Sequence, residues 1–354
     1  MIWFFLLFVV FLLFRISVLT GSETNREYLS VEQTQIVKGI FICIVFFSHF
    51  HSYVTYTSVW DEKVQWFTGL LGQNMVAPFL FYSGYGIMLS IQRKGKPYVK
   101  SIPRKRILAT LFRFDCAVLL FIALALVTGQ YRITGKLFLQ AMIAWESVGN
   151  SYWYIFVVLA LYSVTYCAFL LCKDQRVGLL VCFLLVCAGI FAFVFWNIKD
   201  ICWYDTALCY ILGMTYAQYR VKFEKVFQGN RLIYSFLVTF LLALVLYMQR
   251  YEYKPLGSCI RTSLFALTVT AITMRVRISS KLLQWCGKHL FSLYILQRIP
   301  MIALQYLGLG ERSIPLYFAC CVVITVCMVY PFEWVTDQIW NKLDKMISPK
   351  HAAC

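Results

Sequence analysis

Residues 177–198 read VGLLVCFLLVCAGIFAFVFWNI, twenty-two positions without one charged side chain. The hydrocarbon core of a bilayer is about 30 Å thick, and a helix rising about 1.5 Å per residue needs roughly 20 mostly apolar residues to cross it. This stretch meets that length. Working outward from it in both directions, apolar runs separated by polar or turn residues recur near 2–20, 36–56, 67–91, 107–128, 151–172, 202–219, 231–249, 256–274, 286–308 and 314–336. With 61% hydrophobic and 14% charged residues and a mean hydropathy of +0.70, the chain departs far from a soluble domain. Lipid is its solvent. No alternating strand pattern appears, and a helix satisfies its own backbone hydrogen bonds in lipid, so the sequence predicts an all-α polytopic membrane protein with about eleven transmembrane helices.

The Lys and Arg residues give that reading a direction. The segment after the third run carries Arg93, Lys94, Lys96, Lys100, Arg104, Lys105 and Arg106, a concentration expected on the cytoplasmic side. Alternating outward from it, one face collects 23 basic residues and the other 7. The N-terminus is therefore predicted outside and the C-terminus in the cytoplasm. The net charge of +17 is explained by these loops and needs no nucleic acid. The 14 cysteines, among them Cys43, Cys182, Cys187 and Cys320, lie mostly within apolar runs without paired spacing, as small packing residues do. Residues 1–20 lack a basic region before the apolar run and a clear cleavage site after it, so they are expected to remain as a first helix. The expected organisation is an N-terminal transmembrane helix at 1–25, one membrane domain at 30–340 and a cytoplasmic tail at 341–354. The exterior segment 129–150, with KLFLQAMIAWES inside it, is expected to hold a short re-entrant or interfacial helix.

Chemistry must then happen in the membrane. In KGIFICIVFFSHFH, residues 38–51, His49 follows Lys38 by eleven positions. At about 100° per residue the two are about 20° from alignment, so they share one helix face, about 16 Å apart along the axis. His51 lies roughly 200° around from His49 and cannot share its role. An ionisable residue at that depth is by default functional, and a neutral imidazole can take a proton from a hydroxyl. The plain structural alternative is a histidine satisfied by an interhelical hydrogen bond.

A second constellation is KGKPYVKSIPRKRILATLFRFD, residues 94–115. Arg106 and Arg113 are seven apart and share a face, with Arg113 about 10 Å deeper. Guanidinium groups hold phosphate in bidentate fashion, so a descending string of them suits a phosphorylated ligand. Lys94, Lys96 and Lys100 read as topological anchors, whereas Arg113 must find a partner in the membrane; Asp115, two positions away, would need another geometry to serve. Ser83 and Gly84 in FLFYSGYG, with Gly86, Glu146, Asp205, Gln297, Arg298 and Gln305, complete the candidates. The glycines are expected to permit close helix packing. Trp145, Trp153 and Tyr154 are expected in an exterior aromatic belt, and Glu333 and Asp337 as interfacial or paired acids. No metal-ligand spacing, P-loop, nucleotide-binding glycine pattern or nucleophile elbow occurs in the sequence.

At these residues the chain resembles the acyltransferase 3 family of membrane O-acyltransferases. KGIFICIVFFSH resembles the family's first core helix, in which a cation and, after ten intervening residues, a histidine recur; FLFYSGYGIMLS resembles its Ser-Gly helix and PRKRI to FRF its arginine motif. NSYWYIFVVLALY, DTALCYILGMTYAQY and WCGKHLFSLYILQRIP resemble later helices. The resemblance implies a ten-helix core preceded here by one extra helix, His49 as catalytic residue, and Lys38, Arg104, Arg106 and Arg113 as binders of acyl-CoA, usually acetyl-CoA, from the cytoplasm. It implies acyl transfer, directly or by relay across the membrane, to a hydroxyl of a lipid-linked sugar, exopolysaccharide or other surface glycan in a bacterial inner membrane. Lys38 departs from the more common Arg. A transporter or flippase of a glycan or lipid intermediate is the competing class, though no internal repeat supports it. The sequence leaves open the acceptor, the acyl chain and the oligomeric state, a homo-oligomer included.

Overall fold

A computed structural model describes residues 1–19, 23–228 and 230–347. Its helices are α1 (Ile2–Leu13), α2 (Val31–His51), α3 (Val59–Leu71), α4 (Ala77–Ile102), α5 (Ala109–Thr128), α6 (Gly135–Met142), α7 (Trp153–Leu171) and α8 (Gln175–Phe195). They continue with α9 (Ala207–Gln228), α10 (Arg231–Met248), α11 (Pro255–Thr273), α12 (Lys281–Lys288), α13 (Leu290–Leu296), α14 (Arg298–Tyr306), α15 (Leu309–Arg312) and α16 (Ile314–Ile347). Two short strands, β1 (Ile16–Val18) and β2 (Val276–Ile278), pair antiparallel with Ser17 opposite Arg277. The protein is a multi-pass helical membrane protein.

Among the described residues, seven helical stretches are long and apolar enough to cross a bilayer, one of them the continuous run Val59–Thr128 that contains α3, α4 and α5. Four of the eleven apolar runs take forms that the sequence did not predict, and that at 67–91 is divided between α3 and α4 by a 3-10 turn at Gly72–Met75. The first ends as a helix at Leu13, 12 residues or about 18 Å long, and continues into β1 instead of running to residue 20, which lies outside the described residues. It nevertheless lies antiparallel along α2. Phe4 and Phe5 pack with the Phe47 and Phe50 end of α2, Phe11, Leu12 and Ile16 pack with Ile36 at its start, and the Ile2 amide donates to Asp61 of the neighbouring α3 at 2.7 Å. The run at 286–308 is divided among α12, α13 and α14; broken helices are tolerated at membrane depth where they line a cavity, as Leu290, Phe291 and Tyr294 do. The last run extends through residue 347, so α16 has 34 residues, about 51 Å, and outreaches the bilayer. Residues 348–354 of the expected tail lie outside the described residues.

Local chemistry sets the boundaries. Ser30 caps α2 by accepting from the Gln33 amide, and the Gln33 side chain in turn bridges to both backbone polar groups of Ile278, extending the β1–β2 pair onto α2. Thr134, Asp174, Asn230 and Ser280 cap α6, α8, α10 and α12 in the same way. The short helix α6 falls within segment 129–150, where one was expected. Within α4, Gly95 has φ of 59°, which kinks the helix where the apolar residues end, and Lys96 then donates to the free carbonyls of Phe169 and Leu170 at the end of α7.

Two helix pairs form the frame, and both depend on glycine. A Cβ at Gly84 of α4 would collide with the Tyr210 carbonyl of α9, and one at Gly213 of α9 with the Phe81 carbonyl of α4. Reciprocally, Gly39 of α2 faces the Leu283 carbonyl and Gly287 of α12 the Gln35 carbonyl. Small residues let backbones approach this closely in lipid, where no hydrophobic force draws helices together. The buried core is centred on α4, through Phe79, Leu80, Phe81 and Met88, while α8 and α10 present Phe183, Phe191, Phe236 and Phe240 outward, as a lipid solvent permits.

Candidate active site

The space left between these two frames is a cavity of about 410 Å3 lined from α2, α4, α5, α7 and α13 and from the turn that joins α4 to α5. That turn, Pro103–Leu108, is a π-helix, a rare element frequently found at functional sites. It carries Arg106 to the cavity wall, and α5 carries Arg113 there. Lys38 joins them from α2. Among the described residues neither Lys38 nor Arg106 has a carboxylate partner within 4.0 Å, so their charges remain for a ligand. Arg113 instead gives two N–H groups to Asp337 Oδ1 of α16, from Nη2 at 2.8 Å and from Nε at 3.3 Å. Its partner is thus Asp337 and not Asp115, whose buried Oδ1 has no hydrogen-bond partner. Arg104 is not on the cavity wall; it pairs with Asp344 at 2.9 Å.

Farther along the cavity the lining becomes phenolic. Ser83 shares a hydrogen bond of 3.1 Å with Tyr162, Tyr154 stacks at a tilt against Tyr294 with centroids 5.2 Å apart, and Gly86, with no atom near its Cβ direction, leaves the α4 wall open. The two glycines of the SGYG segment therefore divide: Gly84 packs and Gly86 makes space. Beyond Tyr294 stands His49, its ring centroid 6.0 Å from that of Tyr294 and its buried Nδ1 without a partner. His49 does not itself line the cavity; Tyr294 lies between. Arg298, at the start of α14, lies within electrostatic range of His49 and donates from Nε to the Tyr53 hydroxyl at 2.7 Å. The hydroxyls of Tyr294 and Ser151 are buried and face each other, and the Gln297 Oε1 is buried with no partner among the described residues. Buried polar atoms are rarely left unsatisfied, and the free Nδ1 of an intramembrane histidine next to the Tyr294 and Ser151 hydroxyls suits a polar ligand.

The remaining sequence candidates are placed elsewhere. Glu146 pairs with Lys199 at 2.7 Å, and Lys199 also sits over the rings of Trp145 and Trp203. Asp205 is buried at the start of α9, where Oδ2 accepts from Ser258 at 2.7 Å. Gln297 donates to the Tyr294 carbonyl. His51 turns away from His49 and meets the Tyr56 hydroxyl at 2.6 Å. Glu333 is paired, to His289 at 2.8 Å and Ser292 at 2.6 Å. Tyr154, Tyr162, Tyr294 and Tyr53 are the site residues that sequence reasoning missed or read as anchors; the signal available was that Tyr154 and Tyr294 stand in segments with helical patterning but polar tips. Among the described residues no group of three His, Cys, Asp or Glu is arranged to hold a metal.

The cavity thus mixes apolar walls with three cations at one end, of which Arg113 is paired, and has a histidine beyond its tyrosine wall. In the family comparison, the model of an acyltransferase domain, that of the acyltransferase 3 family, matches residues 33–334, and the chain belongs to that family. It is a membrane acyltransferase. No curated protein and no solved structure shows a significant match to the chain.

Proposed function

We propose that the protein is an integral membrane O-acyltransferase that moves an acyl group, acetyl in the first instance, from acyl-CoA to a hydroxyl of a lipid-linked sugar or cell-surface polysaccharide. The single observation that carries this reading is the alignment of Lys38 and His49 on one face of α2, with Lys38 on the cavity wall beside Arg106 and His49 beyond Tyr294. Lys38, Arg106 and Arg113 suit the phosphates of CoA entering from the cytoplasm, the side to which the Lys/Arg bias assigns them. The pantetheine arm then extends along Ser83, Tyr162 and Tyr154 toward Tyr294. His49 accepts the proton of the acceptor hydroxyl as its oxygen attacks the thioester carbonyl. The carbon–sulfur bond breaks, and the imidazolium returns the proton to the departing CoA sulfur, leaving ester and CoA-SH. Arg298 and Tyr53 flank the acceptor side. Family membership favours this reading over transport of a glycan intermediate.

The test is transfer of radiolabelled acetyl from acetyl-CoA to glycan and lipid-linked sugar in membranes with and without the protein. Label in the acceptor fraction only when the protein is present is the expected result. Absence of label with acetyl-CoA and with longer acyl-CoA donors alike would overturn the donor assignment.

A further inference from the structure

Helix α16 is longer than a bilayer needs, and its last turns carry a stripe. Tyr330, Glu333, Asp337, Trp340 and Asp344 recur at steps of three and four residues and so share one face. That face binds both walls of the cavity from behind. On one side Tyr330 accepts from Trp285 Nε1 at 2.6 Å, and Glu333 holds His289 and Ser292 of α12–α13. On the other, Asp337 holds Arg113, Trp340 packs against Phe112 with centroids 5.5 Å apart, and Asp344 holds Arg104. Of the cavity-lining cations Arg113 is the one with a carboxylate attached. A single oxygen, Asp337 Oδ1, takes both Nε and Nη2 of Arg113, which fixes the guanidinium plane and leaves Nη1 out of the pair.

The Arg113 and Asp337 side chains are 34% and 52% exposed, so the pair is open on one side and not sealed in the core. What the pair supplies is direction. We infer that Asp337 is a positioning residue that aims Arg113 into the cavity and thereby sets affinity for the phosphates of the acyl donor, an inference that rests on the acyl-CoA reading above. A planar guanidinium recognises phosphate through N–H groups in a fixed fork, so holding its plane limits the freedom lost when the anion arrives. Asp344 serves as the internal comparison, because its arginine is not on the cavity wall.

The experiment measures binding of CoA, and of phosphate-free pantetheine, to the full-length protein in lipid nanodiscs, alongside thermal midpoints. Asp337→Ala and Arg113→Ala are each expected to weaken CoA roughly tenfold while leaving pantetheine unchanged, the loss typical of one charge-assisted hydrogen-bonding group. The double variant is expected to bind no more weakly than Arg113→Ala, since the two residues act as one unit. Asp337→Glu should restore most of the affinity, and Asp344→Ala should leave it at the wild-type value. If Asp337→Ala does not fold, Asp337→Asn, which keeps shape and an acceptor oxygen, replaces it with an expected intermediate loss. Wild-type or tighter CoA binding by the Asp337 variants would overturn the inference, showing the aspartate to be inert or a competitor for the arginine. Multiplying losses in the double variant would overturn it as well. Wild-type protein that binds no CoA would overturn the functional reading and this inference with it, an outcome distinct from the other two.

Discussion

The two ends of the cavity solve opposite problems. At the Lys/Arg-rich end, Lys38 and Arg106 have no carboxylate partner among the described residues, whereas Arg113 is tied to an exposed aspartate. Beyond the tyrosine wall at the other end, His49 Nδ1 is buried with no partner among the described residues, the Tyr294 and Ser151 hydroxyls are buried beside each other, and Arg298 is held by Tyr53. The first arrangement attracts an anion over a distance and tolerates imprecision. The second leaves hydrogen-bonding capacity in a place where water is scarce, which is the condition under which a proton acceptor and oriented donors act most strongly. On the proposed reading, binding and chemistry fall to different ends of one helix, α2.

Substitutions can break that division or sharpen it. The largest effect is expected for His49→Ala, a loss of transfer of about 100-fold to 10,000-fold, the range of a general base, read in initial rates of acetyl transfer at matched protein levels. Next comes Arg106→Ala, expected to raise KM for acetyl-CoA by roughly tenfold with kcat little changed, and to make KM less sensitive to salt, as loss of a phosphate contact requires. Tyr53→Phe deletes the hydroxyl that accepts from Arg298; kcat is expected to fall by about threefold while CoA affinity holds, within the range of one ordinary hydrogen bond. The smallest is Lys199→Gln, which breaks the pair with Glu146 away from the cavity wall. Transfer is expected to be unchanged and stability to shift by about 1 kcal/mol or less, checked by thermal unfolding in detergent. A strong activity loss there would bring Glu146 into the site.

The sequence made some of this legible and not the rest, for physical reasons. Helix spacing alone puts Lys38 and His49 on one face, because both belong to a single element whose period is known. Apolar length marks the crossings, yet it does not reveal that α1 stops at Leu13, since what ends it is β1 pairing with residues some 260 positions distant in the chain. The partner of Arg113 was equally hidden: Asp337 lies 224 residues away, and nothing in local sequence relates α5 to α16. Gly84 and Gly86 look alike on paper, but one meets a carbonyl and the other empty space, a difference that depends on the neighbouring helix α9. Tyr154 was expected among membrane-interface anchors because an aromatic residue near a helix end has two uses, and only the position of Tyr294 decides between them.

The separation of binding from chemistry can be tested in one preparation, by measuring CoA affinity and acetyl transfer together for the wild type and His49→Ala in lipid nanodiscs. Unchanged CoA affinity with transfer lost is the expected result. Persistent transfer, or loss of CoA affinity in parallel with transfer, would contradict the account and remove His49 from the role of base.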